Sequence, residues 1–158
     1  LMSPFFPLER LRRIPGFENA RYEDPYAGGI GNSVRYFGMP PRDDALHVNG
    51  VGNLFCAGEK AGLLVGHTEA ICTGTLAGHN AVLHVKNETP LRLPTSLAIG
   101  DAIAHVREQM MEKQERGLKF TFSGSVYFER MTALGLYTTD RAAIAKRVKA
   151  CGMDGIFR

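Results

Sequence analysis

Glu59 stands where an apolar run ends: Leu54-Phe55-Cys56-Ala57 leads into Gly58-Glu59-Lys60, and Gly62 turns the chain again. An acidic residue at the end of such a run stands where chemistry would be expected. The glycine before it lets a ligand approach the main chain closely. Gly66-His67-Thr68 then open a segment whose small residues Ala70, Gly74, Ala77, Gly78 and Ala81 recur at intervals of three and four. That spacing predicts a helix with one narrow face, and its first N–H groups suit an electron-rich partner. Ligands of open α/β sheets sit off the carboxyl ends of strands, so strand, turn and helix in this order make Gly58, Glu59, Lys60, Gly66, His67 and Thr68 the stretch where chemistry is expected. The same pattern is also that of a tightly packed crossover with no ligand, in which Glu59 caps the turn or pairs with Lys60.

Other chemistry is sparse. No nucleophile–base pair is visible, so no catalytic residue is assigned. Cys56, Cys72 and Cys151 are widely spaced and include no CxxC pair, and the five histidines lack ligand spacing, so no metal site is expected. Three unpaired thiols point to a reducing cytoplasm.

The elements that must position these residues follow from the same pass. The chain has 158 residues, 44% hydrophobic and 22% charged, with a net charge of +3. Those values are globular, too weakly basic to imply nucleic acid alone, and no apolar run approaches the ~20 residues of a membrane span. Short strands are predicted over 20–22, 33–37, 45–48 and 53–57, with Asn49-Gly50 as a hairpin turn. The small-residue helix is placed from about Gly66 to His84, its glycines pressed on a sheet, so that Gly74→Leu or Gly78→Leu would overpack by about 1–3 kcal/mol. Asn87 to Pro94 reads as a linker. Ile99, Ile103, Val106 and Met110 predict a helix after it, a second runs from Ser123 or Ser125 to Leu134, and a third is capped by Thr139 and ended by Gly152. An FAD-type Gly-x-Gly-x-x-Gly is not found, since Gly28-Gly29-Ile30-Gly31 follows no strand and reads as loop.

Leu54-Phe55-Cys56-Ala57-Gly58, with Gly74, Ala77-Gly78 and Asn80-Ala81, resembles the last FAD-contacting segment of the glucose-inhibited division protein A family. Ile14-Pro15-Gly16-Phe17-Glu18-Asn19-Ala20 is similar to a block upstream of that motif in the same family and in its folate- and FAD-dependent tRNA methyltransferase relatives. Those proteins carry Gln where Glu59 stands here. The resemblance spans about residues 11–85. It implies an α/β architecture: the C-terminal fragment of a Rossmann-like FAD-binding domain (1–88), followed by a small all-helical unit (95–158). It further implies FAD as cofactor, with Gly58 and Glu59 beside the ribityl chain and the His67 helix start at the ring edge. A tRNA-modifying oxidoreductase is implied for the full-length parent, with this chain inactive alone and holding flavin weakly or not at all. The partners implied are the missing N-terminal part of the flavin domain, tRNA or protein at the C-terminal helices, and a homodimer. The competing class is a non-catalytic helical interaction module, for which Arg141, Lys146, Arg147 and Lys149 make the last helix basic.

Overall fold

The computed structural model describes residues 7–20, 40–62, 64, 66–112, 122 and 125–157, and the chain divides into two units, Leu1–Phe37 and Gly38–Arg158. In the first unit one helical turn, α1 (Leu8–Leu11), follows Pro7. Arg12 closes it, donating from Nε to the Ala20 carbonyl at 3.0 Å and pairing with Glu9 at 3.2 Å. Gly16, at φ +90°, takes the positive φ that its turn requires. The strand expected over 33–37, most of that over 20–22 and the glycine-rich 28–31 loop lie outside the described residues.

The second unit holds α2 (His67–Val85), α3 (Ala98–Glu112), α4 (Ser125–Ala133) and α5 (Arg141–Ala150), with a 3-10 turn at Gly58–Ala61. Among the described residues there is no strand, only isolated bridge positions: Arg42 with Val48, His47 with Phe55, and Leu64. The α/β, Rossmann-like expectation is therefore corrected: the described fold is helical. The physical reason lies in pairing. Pro40-Pro41 and the Asn49-Gly50 turn, where Gly50 has φ +81°, leave only a short stretch to pair with the Leu54–Ala57 run. Val48 N–H donates to the Leu54 carbonyl at 2.9 Å and Cys56 N–H to the Leu46 carbonyl at 3.0 Å, after which the chain winds into the 3-10 turn. Leu54, expected under cover on both faces, is 48% exposed.

Helix α2 occupies the expected span but faces the other way. Its buried stripe is Glu69, Thr73, Leu76, Ala77 and Asn80, whereas Gly74 and Gly78 are exposed and a Cβ on either would meet nothing within 4 Å. Ile71, Val82 and Val85 share that exposure. The overpacking expected of leucine there is overturned. Gly74→Ala and Gly78→Ala should each raise stability by about 1 kcal/mol through helix propensity alone. Urea unfolding checks this, and a loss from either substitution would put that face against the core after all.

The core of this unit draws Leu46 and Leu64 together with Leu76 of α2, Ile103 and Val106 of α3, and Tyr127 and Met131 of α4. Helix α3 buries Ile103 and Val106 from the predicted stripe. It carries α4 through Asp101, whose carboxylate accepts from Tyr127 Oη at 3.0 Å and from Arg130 Nε and Nη2 at 2.9 and 2.8 Å. Burial and the Asp101 charge push the Tyr127 phenol far above its usual range. The cap of α5 is Asp140 rather than Thr139, accepting from the Ala142 and Ala143 N–H groups, and α5 buries no side chain. No described helix is long and apolar enough to cross a membrane.

Candidate functional site

The turn that carries Glu59 is built by two glycines. Ala57 is extended, Gly58 swings to φ +56° and Gly62 closes the turn at φ +113°, conformations that a side chain resists. Gly58 is fastened from behind: its N–H donates to Thr73 Oγ1 at 2.8 Å, and that hydroxyl donates to the Glu69 carbonyl at 2.7 Å. Ala70 backs the same glycine, since a Cβ on Gly58 would lie 3.6 Å from the Ala70 Cβ. The turn therefore sits on the first turns of α2 through two small side chains, Ala70 and Thr73.

Gly58, Glu59 and Lys60 are thus brought together on one turn, and Gly66, His67 and Thr68 at the start of α2. Glu59 is half-buried, and among the described residues its carboxylate meets no hydrogen-bond donor and no cation. The local ion pair with Lys60 is not formed. Lys60, also half-buried, lines an open groove of about 330 Å³ with Pro40, Val48, Leu54, Phe55, Cys56 and Ala57. It is the one member of the six that lines the groove.

Gly66 is the N-cap of α2 and gives it no side-chain cap, while His67 and Thr68 are exposed. Glu69 behaves differently. It is 1% exposed, its carboxylate accepts from the Phe122 N–H, and its side chain folds back where a Cβ on Gly66 would collide with it. The positive end of α2 already has a carboxylate beside it, so it suits a polar neutral edge better than a second anion.

Thr73, Glu69 and the buried Arg42 escaped the sequence reading. A polar residue on the buried stripe of α2 is a signal that could have found Thr73 and Glu69; none marks Arg42. Burial pushes the Cys56 thiol up, and that of Cys72 likewise, which disfavours the reactive thiolate at both. Among the described residues no cluster of His, Cys, Asp or Glu could hold a metal ion.

The described geometry is a glycine-wound turn carrying an acidic residue, followed by a helix start without a side-chain cap. The family model of glucose-inhibited division protein A matches residues 6–89, more than half of the chain, and the chain belongs to that family. It is 33% identical over 97 residues to the tRNA uridine 5-carboxymethylaminomethyl modification enzyme MnmG of a Nitratiruptor species, covering 58% of this chain and 14% of that protein. The enzyme of the same name from Acholeplasma laidlawii is 38% identical over 87 residues, 54% of this chain and 13% of its own. The methylenetetrahydrofolate–tRNA-(uracil-5-)-methyltransferase TrmFO of Caldicellulosiruptor bescii is 31% identical over 97 residues, 61% of this chain and 21% of its own. The chain spans about a seventh of the length of the two MnmG enzymes and about a fifth of that of the TrmFO protein. No solved structure matches it.

Proposed function

We propose that this chain forms the ribityl and ring-edge side of an FAD site in a flavoprotein that modifies tRNA. The observation that carries this reading is Glu59: half-buried on a left-handed glycine turn, unpartnered among the described residues, and backed by α2. Membership of the family and the likeness to tRNA-modifying enzymes support it. The residues fit one end of such a cofactor. A groove of about 330 Å³ lies at the low end of the roughly 300–1,000 Å³ of whole small-molecule sites. FAD as a whole needs more, and its phosphate side is assigned to further polypeptide.

Glu59 accepts a hydrogen bond from a sugar-like hydroxyl, and Thr73 holds Gly58 so that the carboxylate keeps its place. Lys60 supplies positive charge at the groove. The first N–H groups of α2, at His67 and Thr68, would meet a polar ring edge, and Leu54, Phe55 and Ala57 give the groove at Lys60 an apolar wall. When bound, the flavin supplies the redox chemistry.

Binding from one side of a large cofactor must still offset the cost of immobilising it, so the purified chain is expected to be colourless and to bind added FAD weakly. NMR titration with FAD should shift the amides of Gly58, Glu59, Lys60, His67 and Thr68. Glu59→Ala should weaken the interaction by about 1–3 kcal/mol, the loss of a hydrogen bond to a charged acceptor. No shifts at these amides in the wild-type chain, or shifts indifferent to Glu59→Ala, would overturn the reading.

A second reading has its own observation. Helix α5 buries nothing and exposes Arg141, Lys146 and Lys149, which fits a surface that meets RNA phosphates or a protein. Salt-sensitive retention of the chain on immobilised tRNA, lost on replacing the three cations, is its expected signature.

A further inference from the structure

Arg42 has no part in the site as assigned above, yet it is the one buried cation among the described residues, 2% exposed. Among the described residues no carboxylate is hydrogen-bonded to it, and its ion pair with Asp44 is long, at 3.7 Å. Its donors go to carbonyls instead. Nε and Nη2 reach the Ala61 carbonyl at 3.1 and 2.9 Å, and Nη2 also reaches the Ile103 carbonyl in mid-α3 at 2.9 Å. Nη1 donates to the Asp43 carbonyl at 3.3 Å. Burial pushes the guanidinium down to about 10, which still leaves it charged at neutral pH.

A buried charge held by backbone carbonyls costs more than an apolar side chain of the same size would, so packing alone does not account for it. Geometry does. The fork touches the last residue of the Gly58–Ala61 turn and the middle of α3 at once, a span that the compact ammonium of lysine cannot reproduce. Gly62 continues the contact, because a Cβ there would run into Val106 and Met110 of α3. Asp44 fixes the same corner, accepting from Arg107 Nε at 2.6 Å.

We propose that Arg42 is the positioning residue of the Gly58–Ala61 turn: it clamps the turn to α3 and so sets where Glu59 and Lys60 present their charges. The clamp itself rests on the contacts above; its bearing on flavin rests on the FAD reading. Helix α3 lies beyond the residues 6–89 matched by the family model, so the shape of this turn is set by a part of the chain outside that match.

The test uses the full chain. In the wild type the Arg42 Nε–H should exchange with solvent at least about tenfold more slowly than that of exposed Arg141, as expected of a buried hydrogen bond. Arg42→Lys should speed amide exchange over residues 58–62 by about tenfold, one hydrogen bond's equivalent, while α5 amides are unchanged. The same variant should weaken FAD binding about as much, and ethylguanidinium added to Arg42→Ala should restore the FAD-induced shifts. An Arg42 Nε–H that exchanges as fast as that of Arg141 overturns the clamp without any variant. Unchanged exchange over 58–62 in Arg42→Lys also overturns it. If the exchange results hold and the wild type shows no FAD-induced shifts, the FAD reading fails and the clamp stands. If FAD binds and Arg42→Lys changes nothing, the clamp fails and the FAD reading stands.

Discussion

Asn80→Leu is expected to lower the stability of the chain by about 3–5 kcal/mol, because one side chain satisfies three backbone groups at once. Asn80 is 0% exposed. Its Nδ2 donates to the carbonyls of Ala45 and Leu91, both at 2.9 Å, and its Oδ1 accepts from the Leu91 N–H at 2.7 Å. These bonds tie α2 to the corner before Leu46 on one side and to the segment before α3 on the other. Leucine fills the volume but leaves two carbonyls and an N–H unpaired. Each such group costs about 1–3 kcal/mol when fully buried, and the lower end applies at Leu91, which is only partly covered. Urea unfolding followed by circular dichroism measures the loss; an unchanged midpoint would mean that water replaces the amide without penalty. Asn80→Asp should fall nearly as far, since it keeps the acceptor and turns charge on two carbonyls.

The second large effect is at the site itself. Gly62→Ala should cost about 3 kcal/mol, combining about 1–3 for a side chain at positive φ with about 1–3 for overpacking. Gly62 has φ +113°, and its added Cβ would lie 2.5 Å from Val106 Cγ1 and collide with Met110 Sδ. Met110 can swing away, whereas Val106 is 0% exposed and has nowhere to go. The turn would lift from α3, so the melting temperature should fall and, on the proposed flavin reading, FAD-induced shifts at Gly58 and Glu59 should weaken with it. Restoration of stability by Met110→Ala alone would show that the collision is with the flexible side chain only.

What the sequence made legible is what depends on near neighbours. The Gly58 turn, the start of α2 and the Ile103–Val106 face of α3 all follow from spacings within a few residues, and the family emerges from the same local blocks. What stayed hidden depends on partners far along the chain. A run of small residues tells which side chains share a face of α2, but not that the face of Gly74 and Gly78 points outward. Leu54–Ala57 has the composition of a covered strand, yet strand formation is decided by how many residues find a pairing partner, and among the described residues only one short segment meets it. Arg42 reaches Ala61 and Ile103, 19 and 61 residues away, a relation no periodicity records. At α5, Thr139 and Asp140 are both competent caps, and only backbone geometry chose between them.

Helix α5 and the turn after it are held by a few contacts: Arg147 donates to the carbonyls of Leu136 and Gly135 at 2.9 and 3.0 Å, Ser96 Oγ lies 3.0 Å from Cys151 Sγ, and the Phe157 ring meets His79 edge-on. With no side chain buried, little apolar surface is re-exposed when it lifts off, so its opening is nearly independent of the unfolding of the core. The chain has a detachable end. A protease that cuts after arginine or lysine meets Arg141, Lys146 and Lys149 on that end while Leu76, Ile103 and Tyr127 remain packed, and sensitivity to trypsin there reports a local equilibrium rather than the stability of the molecule.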